Sequence, residues 1–391
     1  MPGRSVLVAP DGFKGCLSAA EVADALAGGL CAGGGPDLAV DVLPLADGGD
    51  GSVEAALRAG FAPVEVTVPG PTGVPGRAVL ARRGGTVVVE VANTCGMALL
   101  PGGRLRPLEA SSAGVGVALR AALAGRPQRV VLALGGSAST DGGLGMLTAL
   151  GAVGASPGPG PGLEQPEHPG GRDLPAVEAL RLDGVVPDGV ELVVATDVTN
   201  PLLGPSGAAA VFGPQKGADP PTVERLERGL RHLVAVAARA RPDAAGLAGA
   251  AGAGAAGGLG FAALLLGGRV VSGADLFLDL LGFDTAVAGR DLVVSGEGRL
   301  DEQSLRGKLP AVVARRAGTR VELVVGRSEL APDVARRHGF AAVHALVDLG
   351  EGDPATDPAL SRRLLEEVGR RLGRVLRGRG PAPAEGIPRN S

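Results

Sequence analysis

Arg4-Ser5-Val6-Leu7-Val8-Ala9-Pro10-Asp11, at one end of the chain, and Asp291-Leu292-Val293-Val294-Ser295-Gly296, near the other, are written in the same way. Each is a short apolar run that breaks off in a polar turn, the pattern of a strand buried on both faces of a parallel sheet. Downstream of the first run, Ser18 and Glu21 have the spacing of a capping box, each side chain serving the other's backbone N–H. Val22, Ala25, Leu26 and Leu30 then recur at helical spacing. A second run, Val40 to Leu45, leads through Ala46-Asp47-Gly48-Gly49-Asp50-Gly51 into a helical segment from Val53 to Ala59. The late run is followed by a helix over Pro310 to Ala317 and by strands at Val321 to Val325 and around Val343 to Leu349. Both chain ends are therefore expected to share one five-stranded parallel sheet, with the middle inserted as a second domain.

The middle has a different texture. From Val64 to Val91 short alternating strands are separated by Pro- and Gly-rich turns, a β-meander without helices. That shift sets an expected boundary near residue 62. The expected layout is residues 1–62 and 288–378 for the first domain, 63–287 for the insert, and 379–391 as a disordered tail. Within the insert, a helix from Gly114 to Ala124 and strands at Arg129 to Leu134 and Glu191 to Ala195 are legible, as is a charged helix from Thr222 to Ala240. Gly154 to Gly171 is dense in Pro and Gly and reads as a loop or disordered excursion. Ala244 to Gly268 carries no charge and is long enough to cross a bilayer. Nine of its positions are glycine, however, so it reads as a buried loop running into a helix.

Composition narrows the function. The 391 residues carry a formal charge of −3, which argues against the clustered basic footprint of a nucleic-acid binder. With no Trp, no Tyr and seven Phe, base-stacking platforms are nearly excluded. Cys16, Cys31 and Cys95 form neither a C-x-x-C pair nor a disulfide framework, and no signal peptide precedes the first strand, so a reducing cytoplasm is expected. The four histidines lie outside every glycine-rich motif, leaving a zinc site or a Ser-His-Asp triad poorly supported.

Against thirty-five arginines there are only three lysines, each beside glycine: Lys14 in D-G-F-K-G, Lys216 in G-P-Q-K-G and Lys308 in R-G-K-L-P. Lysine is a compact, mobile charge and arginine a rigid fork, so lysines retained in an arginine-rich chain point to phosphate or catalytic chemistry. Asp11 and Lys14 follow the first strand, where open α/β sheets collect ligands. Asp47 and Asp50 have a spacing suited to Mg²⁺, although Asp also serves glycine turns for backbone reasons. Gly135 to Gly143, G-G-S-A-S-T-D-G-G, offers backbone N–H groups, Ser137 and Asp141 ahead of a helix, a good anion nest. Asp197 follows an apolar strand beside Asn200 and is suited to accept a proton from a substrate hydroxyl; the plainer reading is an Asx turn. Glu297, Arg299, Asp301 and Lys308 crowd the segment after the late strand. Gly252, Gly254 and Gly257 match the dinucleotide fingerprint in form, but no strand precedes them, so they are read as a loop that lets a nucleotide approach the backbone. No G-x-x-x-x-G-K-[ST] loop occurs, since Leu309 follows Lys308.

In collinear order, A-P-D-G-F-K, L-A-D-G-G-D-G, L-G-G-S-A-S-T-D-G-G, D-V-T-N-P-L-L-G, F-G-P-Q-K-G-A, G-A-G-A-A-G-G and S-G-E-G-R-L-D-E-Q-S resemble the type I glycerate kinases of bacteria. The resemblance spans roughly residues 5 to 375. It implies a flavodoxin-like parallel three-layer α/β domain built from both chain ends, with a second α/β domain inserted. It also implies ATP-dependent phosphorylation of D-glycerate with Mg²⁺, usually at the 2-hydroxyl, in organic-acid catabolism. On that reading the catalytic set is Asp197, Lys14 and Lys216. Asp11, Ser137, Asp141, Asn200, the three loop glycines, Glu297, Arg299 and Lys308 bind substrate or phosphate. Asp47, Asp50 and Asp301 hold the metal. The three lysines are expected to meet across an interdomain cleft and to be exposed. Partners are D-glycerate and ATP, without nucleic acid or membrane, and a homodimer is left open. The chain departs from the family at Gly12, Gly15 and Cys16, and at Ala113, where members carry a large side chain. Two rival readings remain: an NAD-dependent oxidoreductase using Gly252 to Gly257, and a metabolite-binding protein without catalysis.

Overall fold

A computed structural model describes residues 4–154, 167–305 and 307–378. Most of the expected Gly154–Gly171 excursion and all of the 379–391 tail lie outside the described residues. The strands in chain order are β1 (Ser5–Val8), β2 (Ala39–Val42), β3 (Ala62–Pro69), β4 (Pro75–Arg83), β5 (Thr86–Glu90), β6 (Arg129–Ala133), β7 (Val153–Gly154), β8 (Ala179–Leu180), β9 (Glu191–Ala195), β10 (Arg269–Val271), β11 (Leu292–Leu300), β12 (Arg320–Ser328) and β13 (Phe340–Ala345). No described helix is long and apolar enough to cross a membrane.

The first compact unit comprises the chain up to Leu45 and from Leu278 onward. Its sheet has the order β13-β12-β11-β1-β2, parallel throughout. Counted along the unit's own chain, that order is 2-1-3-4-5, the flavodoxin-like winding. Val6, Val8, Val294 and Val324 are fully buried in the sheet's core, packed with Leu26, Leu30 and Leu365 from the helices. The helix Ala19–Gly34 starts as its sequence requires: Ser18 Oγ accepts from Glu21 N at 3.3 Å and Glu21 accepts from Ser18 N at 2.9 Å. It lies against the C-terminal helix Pro358–Gly378 through glycines on both partners. A methyl group on Gly29 or Gly33 would overlap the backbone of Glu366 or Arg370, and one on Gly369 or Gly373 would overlap Leu26 or Leu30.

The second unit, Ala46–Phe277, holds a six-stranded sheet in the order β10-β9-β6-β5-β4-β3. The meander is present as β3-β4-β5, paired antiparallel, and it continues into the parallel strands β6, β9 and β10. Val89, Leu119, Leu132 and Phe261 lie in its core.

Both unit borders differ from those expected. Residues 46–62 go with the second unit, because Glu90 at the end of β5 accepts from Gly51 N at 3.1 Å and Val53 N at 2.7 Å and so caps the helix Ser52–Arg58. Residues 278–287 go with the first, where Arg316 binds Asp279 at 2.6 Å and Asp284 at 2.7 Å. β11 also runs to Leu300, so Glu297 and Arg299 belong to a strand extension and not to the turn.

Candidate active site

Polar side chains gather in two places, one in each unit. In the first unit the connections of β1 and β11 lead to opposite sides of the sheet order, so the carboxyl ends of these neighbours form the switch point where such sheets take ligands. Asp11 stands there, its N–H donating to Gly296 O at 2.9 Å and its own Oδ1 accepting from Gly12 N at 2.8 Å. Gly298 of β11 faces the backbone of Phe13 and Lys14, at 3.5 and 3.6 Å from where a methyl carbon would sit. Lys14 is exposed to solvent, and Lys308 is half-buried with its Nζ 3.4 Å from Gln303 Oε1. Asp301 closes the following turn, accepting from Gln303 N at 2.8 Å and Ser304 N at 3.1 Å.

Glu297 is the most perturbed group of this cluster. Burial pushes its carboxyl up to about 7; Ser304, Lys308 and Lys14 pull the other way, while Asp301 adds to the rise. Its Oε1 is out of reach of solvent and has no hydrogen-bond donor among the described residues. Arg299 does not join the cluster, since it pairs with Glu329 at 2.7 Å on the exposed side.

In the second unit the Asp47–Gly51 turn lies against two other strand ends. Gly48, at φ +84, sits beneath Ala195 O, and Gly49 touches Gly135 so closely that no side chain fits at Gly135. Asp50 occupies the space a side chain at Gly136 would need. Asp197, just beyond β9, accepts from Ser272 Oγ at 3.1 Å, Gly273 N at 2.9 Å and Ala274 N at 3.3 Å. It thus caps the helix Gly273–Leu281, and Gly273 in turn abuts Asp47 O. Burial first, and then the charge of Asp47, raise the Asp197 carboxyl to about 6. Carboxylates that repel one another in this way are groups that Mg²⁺ takes up together with water and phosphate oxygens. Among the described residues no group of three or more His, Cys, Asp or Glu side chains that could hold a metal ion occurs.

Several expected contact residues turn out to be interior. Asp141 has no exposed surface; it accepts from Ser112 N at 2.8 Å, Ser112 Oγ at 2.7 Å, Gly143 N at 3.0 Å and Gly145 N at 3.1 Å. With both oxygens occupied, it is a structural carboxylate that shapes the Gly135–Gly143 turn. Lys216 is only 3% exposed, and its Nζ donates to Ser137 Oγ at 2.8 Å and Ser139 O at 2.6 Å. Burial lowers its ammonium to about 8, against the pull of Cys95 and Asp141. Lys216 therefore braces the turn from inside, contrary to the expectation that all three lysines are exposed. Ser137 is its partner and equally buried. Asn200 closes a loop, its Nδ2 donating to Ser206 O at 2.8 Å.

The glycine loop is likewise explained by packing. Gly254 lies against Pro201 O and Gly257 against Ser139 O, each with no room for a methyl group, and Gly252 at φ +86 abuts Val270. The helix Ala244–Gly249 precedes them where a dinucleotide site needs a strand, which removes the NAD reading. Ala113, where the family it resembles carries a large side chain, is 1% exposed at the start of the helix Ala113–Ala124. Glu90 was missed, although an acid ending the apolar run Thr86–Val89 was a visible signal; burial raises it to about 7.

Comparison with known proteins agrees with the motifs. The family model described as the glycerate kinase family matches residues 6–377. A glycerate kinase of Bacillus subtilis (strain 168) is 37% identical over 364 residues, covering 88% of this chain and 90% of that protein. The glycerate 2-kinase of Escherichia coli (strain K12) is 36% identical over 361 residues, covering 90% and 92%. A crystal structure from Salmonella typhimurium LT2, of a chain assigned as a glycerate kinase 2, superposes with a TM-score of 0.78 at 34% identity, covering 96% of this chain and 98% of that one. By the extent of these matches, the chain belongs to the glycerate kinase family.

Proposed function

We propose that this chain transfers the γ-phosphoryl group of ATP to D-glycerate and releases 2-phosphoglycerate. The observation that carries the reading is the switch point of the first unit, where Lys14 and Lys308 stand with Asp11 and Glu297. Phosphoryl transfer needs positioning and charge neutralisation more than covalent chemistry, and small mobile lysine charges with one oriented acid are suited to both. Mg²⁺ is assigned to Asp47 and Asp197, whose mutual repulsion a divalent cation relieves; when bound, it neutralises charge on the phosphate oxygens. Asp197 is thereby assigned to the cation and not to the substrate proton, because the charge of Asp47 acting on it favours a cation there. The three free cysteines are consistent with a reducing cytoplasm.

The test is ADP release followed with a coupled assay. D-glycerate should stimulate ADP formation, and chelation of Mg²⁺ should abolish it. ADP formation that is indifferent to D-glycerate would remove the proposal.

A further inference from the structure

We infer that the switch point of the first unit is the hydroxy-acid site, with Glu297 as the catalytic residue that accepts the proton of the phosphorylated hydroxyl and Lys14 and Lys308 as the cations that hold the substrate carboxylate. The inference rests on the kinase reading above and adds to it the place of the acceptor and the identity of the base. Three observations carry it. Glu297 extends from β11, one of the two strands whose carboxyl ends part at the switch point. Its Oε1 is a buried acceptor without a donor among the described residues, a costly state that an incoming hydroxyl relieves. Among the described residues, the charged groups acting on it are Lys14 from the turn after β1, and Asp301 and Lys308 from the segment after β11. The two lysines supply attraction for an anion, and the carboxylate supplies an acceptor for a hydroxyl. A small molecule with a carboxylate next to a hydroxyl satisfies both, whereas a plain carboxylic acid leaves Oε1 unpaired.

The step balances. The substrate hydroxyl gives its proton to Glu297 Oε1 while its oxygen bonds to the γ-phosphorus. The bond from that phosphorus to the β,γ-bridging oxygen breaks, and its electron pair leaves with ADP. The proton then passes from Glu297 to water. Because the base must be ionised and burial holds Glu297 near 7, turnover should fall as pH drops through that range.

The experiment compares Glu297→Gln with Glu297→Asp and Asp197→Asn in the full chain, each checked for a cooperative thermal transition. Glu297→Gln should lower kcat at least about a hundredfold, keep KM for D-glycerate within about threefold, and lose the acidic limb of the pH–rate profile. Glu297→Asp, which keeps the acid, should regain part of the rate together with the limb. Asp197→Asn should instead raise the Mg²⁺ concentration needed for half-maximal rate and keep the limb. A Glu297→Gln enzyme with wild-type kcat, or a wild-type profile without an acidic limb near 7, would overturn the assignment while leaving the kinase reading in place. A wild-type protein that does not phosphorylate D-glycerate would instead remove that reading.

Discussion

Lysine in this chain occupies two different environments, and burial separates them. Lys14 is exposed at the switch point, while Lys216 is 3% exposed and fixed by Ser137 and Ser139. Lys→Arg therefore has opposite signatures at the two positions. Lys14→Arg should leave stability within about 0.5 kcal/mol of wild type. It should still lower turnover at least about tenfold, the equivalent of about 1.4 kcal/mol, because the fork cannot mimic a mobile point charge. Lys216→Arg forces a larger, planar group into a closed interior and should cost about 1–3 kcal/mol of stability. Parallel urea melts and steady-state kinetics separate the two outcomes; equal stability of both variants would contradict the buried placement. The sequence marked these lysines out but could not show which was buried. Motif spacing reports that residues are near one another in the chain, whereas Asp141 is enclosed with Ser112 and Lys216 with Ser137 and Ser139, partners far away in the sequence.

Among the secondary elements, the contact most dependent on small residues is the pair of helices Ala19–Gly34 and Pro358–Gly378. Their backbones approach where Gly29 and Gly33 meet Gly369 and Gly373. Gly33→Ala drives a methyl group into Arg370 O and should destabilise by about 1–3 kcal/mol. Gly28, in the same helix, has open space where its side chain would be, so Gly28→Ala should stabilise by about 0.5–1 kcal/mol. Thermal midpoints moving in opposite directions would bear out the packing; a tolerated Gly33→Ala would contradict it. At this scale periodicity served well for β1, β6 and β9, whose apolar runs stop at turns. It failed for β11, because Gly296 and Gly298 read as a turn. In the structure those glycines keep the extension close to its neighbours: Gly296 lies under Val324 O, and Gly298 under the Lys14 turn.

For the whole molecule, pairing of the chain ends was legible because β1 and β11 share one pattern, and they do lie side by side in register Val6 to Leu292. The unit borders were not legible, because the cap that recruits residues 46–62 comes from Glu90, and the ion pairs that hold residues 278–287 come from Arg316. The activity was legible through collinear motifs, whereas the base proposed above, Glu297, is not the Asp197 that those motifs suggested. The reaction at issue is the transfer of phosphate to the 2-hydroxyl of D-glycerate. Phosphorus NMR of the product formed from ATP and D-glycerate tests it most directly. The expected product is a single phosphomonoester whose phosphorus couples to one carbon-bound proton, as in 2-phosphoglycerate. A product whose phosphorus couples to a methylene pair, as in 3-phosphoglycerate, or no phosphomonoester at all, would contradict it.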